Sequence, residues 1–85
     1  MNMAEFFVVQ SFSPAKRGAM KPDIPVQATS VMHARRMAER LALQKPMVFA
    51  TVMEGDPESG DFGEPKLIYF HGDEKPEEVS NMQPI

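Results

Sequence analysis

Residues 5–12, EFFVVQSF, carry apolar side chains on both sides of an extended chain: Phe6, Val8 and Phe12 on one, Phe7 and Val9 on the other. A short run of aromatic and β-branched residues, closed by Ser13-Pro14, predicts a strand, and apolar residues on both faces predict a place inside a sheet. The same two-sided pattern returns in 47–53, MVFATVM, where Met47, Phe49 and Met53 alternate with Val48, Ala50 and Val52. Residues 66–71, KLIYFH, read as a further strand. Residues 19–28 form a weaker one: Ile24, Val26 and Ala28 alternate toward one side, but Pro22 and Pro25 cannot donate to a ladder, which confines the segment to an edge. Lys16-Arg17-Gly18 supplies the turn before it, with Gly18 suited to a positive φ.

The period changes in 30–44, SVMHARRMAERLALQ. At 100° per residue Val31, Ala34, Met37, Ala38, Leu41 and Ala42 gather on one stripe, which predicts a helix packed on a sheet. Thr29 or Ser30 is placed to cap it, and Pro46 stops it by about Lys45. The three alanines of the stripe let the helix axis approach closely, with the larger side chains coming from the strands. The order of elements is therefore β-β-α-β-β. We expect an α+β fold, a four-stranded antiparallel sheet ordered 2-1-3-4 with one helix packed on one face. A single domain is expected over residues 1–72. Residues 73–85, DEKPEEVSNMQPI, are acidic and lack an apolar period, which predicts a disordered tail.

One helix covers one face of a sheet. The two-sided strands therefore leave an apolar surface exposed in a monomer, and the pattern predicts a homodimer, by sheet-to-sheet packing or by strands joined at an edge.

Composition sharpens this picture in three places. The chain has 85 residues, so its core is thin. It has no cysteine, so disulfides cannot reinforce it, and a reducing cytoplasm suits it. Nine Lys and Arg stand against twelve Asp and Glu, a net charge of −3, and this gives no basic field for nucleic acid. No apolar run is long enough to span a membrane. A cytoplasmic protein with neither nucleic-acid nor membrane partners is expected.

Candidate chemistry is sparse. His33, Arg36 and Arg40 recur at i, i+3 and i+7 on the polar side of the helix, a basic ridge able to hold an anion or an acidic partner. In the loop GDPESGDFGEP, Asp56, Glu58, Asp61 and Glu64 offer hard oxygen ligands, but their spacing is not that of a calcium loop. Asp56 at the head of a type I turn, Pro57 next and Gly60 at a positive φ explain the same residues as a hairpin. His71 and Asp73 are spaced as an orienting pair for a general base, yet no nucleophile motif, metal-ligand spacing or phosphate loop accompanies them. No catalytic residue, metal or cofactor is assigned.

The segments FFVVQSF, ARRMAERLA and GDPESGDFGEP together resemble a set of short, uncharacterised bacterial proteins with no assigned activity. The likeness covers about residues 5–71. It implies a bacterial source and carries over no functional residue. The expectation is a small non-enzymatic homodimeric module that binds another protein. The alternative is a small-molecule or anion binder with a cleft between subunits, guarded by His33, Arg36 and Arg40.

Overall fold

The computed structural model describes residues 3–85; Met1 and Asn2, the first positions of the expected domain, lie outside the described residues. Two long strands form its spine: β1, Ala4–Pro14, and β4, Met47–Asp56. They pair antiparallel from Ala4↔Gly55 to Phe12↔Met47, nine residues in unbroken register. That register puts Phe7 opposite Val52, Val9 opposite Ala50 and Ser11 opposite Val48 on one side of the sheet. On the other side stand Phe6 opposite Met53, Val8 opposite Thr51 and Phe12 opposite Met47. The helix α1, Val31–Ala42, lies on the first side.

Helix α1 starts where Ser30 takes extended geometry and its hydroxyl accepts from His33 N at 3.0 Å, an N-cap that satisfies one free amide. Its stripe packs as the pattern requires. Ala34 and Ala38 are fully buried against Val9, Val48 and Ala50, with Val31, Met37, Leu41 and Ala42 around them. Small side chains at the contact bring helix and sheet close, and the core there is built mainly from valine and alanine.

The sheet is mixed and has seven strands, where four antiparallel ones were expected. Proline and glycine account for part of the difference. The edge segment splits into β2, Met20–Pro22, and β3, Val26–Ala28, both paired with β1, because the stretch around Pro22 and Pro25 cannot keep a continuous ladder. Ile24, expected to share one side with Val26 and Ala28, sits in the break and is 88% exposed. The second hairpin adds β5, Asp61–Phe62, on the end of β4 before β6, Lys66–His71, begins. A bulge between Ala50 and Thr51 in the β4–β6 pairing lets Ile68 enter the helix-side core with Tyr69 packed against it.

The acidic segment supplies the remaining strand. Residues 73–85, expected to be disordered, form a helical turn α2, Glu77–Ser80, and a strand β7, Gln83–Pro84, parallel to β6. One apolar residue anchors the segment: Val79 is almost fully buried, and Ile85 N donates to Leu67 O at 3.1 Å beyond the strand. The long elements keep the expected neighbours, with the path β2-β1-β4-β6-β7 across the sheet. The molecule is elongated, 46 × 23 × 21 Å. No helix is long and apolar enough to cross a membrane among the described residues.

Candidate functional site

The basic ridge is present on the outside of α1, where His33, Arg36 and Arg40 are all exposed. Its histidine is already engaged. Thr29 N donates to His33 Nδ1 at 3.0 Å and Thr29 Oγ1 lies equally close, so the ring helps to close the turn that precedes the helix. With Nδ1 accepting, the ring proton belongs on Nε2. Arg36 and Arg40 make no ion pair among the described residues, and neither they nor His33 line a cavity described below. The ridge is thus an open charged surface.

The acidic hairpin closes as a turn. Asp56 is buried, its Oδ1 accepts from Glu58 N at 2.9 Å and its backbone carbonyl accepts from Gly60 N at 2.9 Å. Gly60 takes the expected positive φ, 78°. Ser59 Oγ donates to Asp61 Oδ2 at 3.3 Å. Among the described residues no three His, Asp or Glu side chains come together to hold an ion. Glu54 instead faces Glu5 across the β1–β4 ladder, and with Glu64, Val31 and Val52 it lines a groove of about 530 Å³. No hydrogen bond joins His71 to Asp73 among the described residues, and Asp73 is exposed.

A polar cluster that the sequence reading missed lies at the break in the edge strand. Ser11 and Ser13, two residues apart and so on one face, donate to Asp23 Oδ2 and Oδ1 at 2.9 and 2.7 Å. Lys45, just after α1, donates to Ser13 Oγ at 2.8 Å and stands 3.4 Å from Asp23 Oδ2. Gln10 Nε2 donates to the Asp23 carbonyl at 2.6 Å, and Asp23 N donates to Ser11 O at 2.9 Å. The Ser13 hydroxyl first and the Ser11 hydroxyl next hold the Asp23 carboxyl below its ordinary range; burial opposes them, and the Lys45 charge acts in their direction. The signal available in sequence was Ser-x-Ser opposite a single acid between two prolines. Each hydroxyl already has a carboxylate oxygen as acceptor, so the cluster works as a clamp between edge, spine and helix end.

The sheet face away from α1 is only partly closed. Five of the six phenylalanines stand on it: Phe6, Phe12, Phe49, Phe62 and Phe70. Their rings partly cover one another, Phe6 with Phe62 at 5.8 Å and Phe12 with Phe49 at 5.9 Å between centroids. Val8, Met53 and Leu67 fill the spaces between. On β1 and β4 no Asp, Glu, Lys, Arg or His occupies a position on this side. Of these β1 and β4 residues only Met47 is buried among the large apolar ones, whereas their helix-side neighbours Val9, Val48 and Ala50 are closed off almost completely. Lys75 Nζ stands 5.7 Å from the Phe70 centroid at the β6 side.

No family model, curated protein or solved structure matches this chain. The open face offers uncharged contact area along the spine and, on its two central strands, no group able to move a proton or hold an ion.

Proposed function

We propose that this chain is a small, non-enzymatic binding module that works as a homodimer, two copies packed through the open sheet face. The observation that carries the reading is the placement of five of six phenylalanines on the side the helix does not cover.

In such a dimer α1 points outward from both copies. The ridge of Arg36 and Arg40 is then the surface that a protein partner meets, with His33 beside it. Sedimentation equilibrium at micromolar concentration tests the dimer: twice the chain mass of 9.5 kDa is expected. Val8→Glu with Thr51→Glu, both on the open face, is expected to yield a monomer with an unchanged far-ultraviolet spectrum. A wild-type monomer sinks the reading.

A further inference from the structure

The charges of this chain are sorted along its length as well as between its faces. The hairpin that follows β1 carries Lys16, Arg17 and Lys21, all exposed, and residues 15–22 contain no acid. The hairpin that follows β4 carries Glu54, Asp56, Glu58, Asp61 and Glu64, and residues 54–64 contain no base. Because β1 and β4 are antiparallel, the two hairpins leave from opposite ends of the spine. Pro14 pairs with Met20 at the basic end and Ala4 with Gly55 at the acidic end. With β1 eleven residues long, the ends stand about 33 Å apart at the usual rise of a strand. That is about four Debye lengths at physiological salt, so within one chain neither end neutralises the other.

We infer that the two chains of the sheet-face dimer lie antiparallel, each basic hairpin beside the acidic hairpin of its partner. The inference rests on the dimer proposed above and adds its orientation and its recognition chemistry. Two-fold packing of aligned sheets allows two arrangements, with the long axes parallel or opposed. The parallel one sets the Lys16-Arg17 turn against its own copy and the Glu58 turn against its own, while Lys21, Glu54, Asp56 and Asp61 pair on the helix side of the sheet and add only to the net charge of each end. The opposed one pairs unlike charge at both ends. The uncharged face between them contributes contact area but no preference of direction, so the tips decide. The basic tip is also presented rigidly: Arg17 holds a left-handed φ of 61°, followed by Gly18 at 75°, and the turn is closed by Ala15 N donating to Ala19 O at 2.8 Å.

The absence of native cysteine makes the test direct. Ala19→Cys at the basic tip and Ser59→Cys at the acidic tip are exposed positions for a nitroxide label. Pulsed dipolar spectroscopy is run on each labelled protein alone and on an equal mixture of the two, with sedimentation on the same samples. The expected result is a long distance, about 40 Å, in each single-site sample and a distance below about 20 Å that appears only in the mixture. Lys16→Glu with Arg17→Glu is expected to weaken dimerisation about tenfold at low salt, the loss shrinking as salt is raised. A dimer whose like-end distances equal or fall below the mixed-end distance overturns the orientation and leaves the dimer standing. A monomer by sedimentation overturns both.

Discussion

Gly55 sits in β4 under the ring of Phe62, its cross-strand partner in the second hairpin. A methyl group built there runs into that ring, with Cγ only 2.8 Å away, so Gly55→Ala must expel Phe62 from its seat. The ring is 48% exposed. Burying a whole phenylalanine stabilises by roughly 1.5–3 kcal/mol, so half of that, about 1 kcal/mol, is lost when the ring leaves. The tilted pair with Phe6, with centroids 5.8 Å apart, adds roughly 0.5–1.5 kcal/mol. Against this, alanine is better than glycine inside a strand by about 0.5–1 kcal/mol. Gly55→Ala is therefore expected to destabilise by about 1 kcal/mol, and in a Phe62→Ala background the same change is expected to stabilise by about 0.5–1 kcal/mol. Urea unfolding of the four proteins at one fixed concentration measures the cycle, with a coupling of about 1.5–2 kcal/mol expected. Gly63→Ala is the control: its nearest neighbour is Glu54 O at 3.6 Å, ordinary contact, and no loss is expected. A coupling below about 0.5 kcal/mol, or Gly55→Ala stabilising in both backgrounds, refutes the reading of the ring as seated on the glycine.

Three further outcomes follow from the packing. The Asp23 carboxyl is held below its ordinary value of 3.8, so its contribution to stability is present above that pH and is lost as the pH falls through the lowered folded value. Asp23→Asn is expected to remove this part of the acid-side slope of stability between pH 5 and the acid limb, and an unchanged slope in a thermal-denaturation series counts against the clamp. Ala38 is fully buried where helix meets sheet, and Ala38→Leu is expected to cost about 1–3 kcal/mol by overpacking, read as a melting temperature lower by roughly 5–20 °C. Val79→Asp puts a charge at an almost closed site. It is expected to release the last strand, so that the Ile85 amide, bonded to Leu67 O, exchanges rapidly while the Val9 amide stays protected; equal protection of both would show that Val79 is not the anchor.

The architecture was legible wherever one periodicity ran without interruption. The two-sided runs of β1 and β4, the alanine stripe of α1 and the capping Ser30 each follow from short-range pattern, and the neighbour order of the long strands follows from their connections. Proline and glycine mark breaks but do not say how many pieces result, so the split into β2 and β3 around Asp23 was not legible, nor was the outward turn of Ile24. The segment 73–85 was misread because composition averages over residues, and its docking depends on the single buried side chain of Val79. The Asp23 clamp escaped for a different reason. Its members come from residues 11, 13, 23 and 45, and only the strand pairing brings them together.

The unequal division of side chains between the two faces of one sheet is what links the fold to the proposed role. Phe7 is the only phenylalanine on the helix side, where valines and alanines suffice because α1 comes close. If the aromatic rings served the isolated chain, pairing with each other would have to close them off, yet of the large apolar side chains of the spine only Met47 is buried on that side. Ring-on-ring contact therefore leaves part of the Phe6, Phe12 and Phe49 surface in water. A polar or charged position among them would make the face tolerable to solvent; Gln10 and Thr51 are the polar residues on β1 and β4 there, and Gln10 is turned to the Asp23 carbonyl. Charge is instead held at the two ends of the spine, with opposite sign. A surface that is apolar along its length and charged oppositely at its ends is complementary to a copy of itself turned end for end, and that self-complementarity is the property an isologous interface requires.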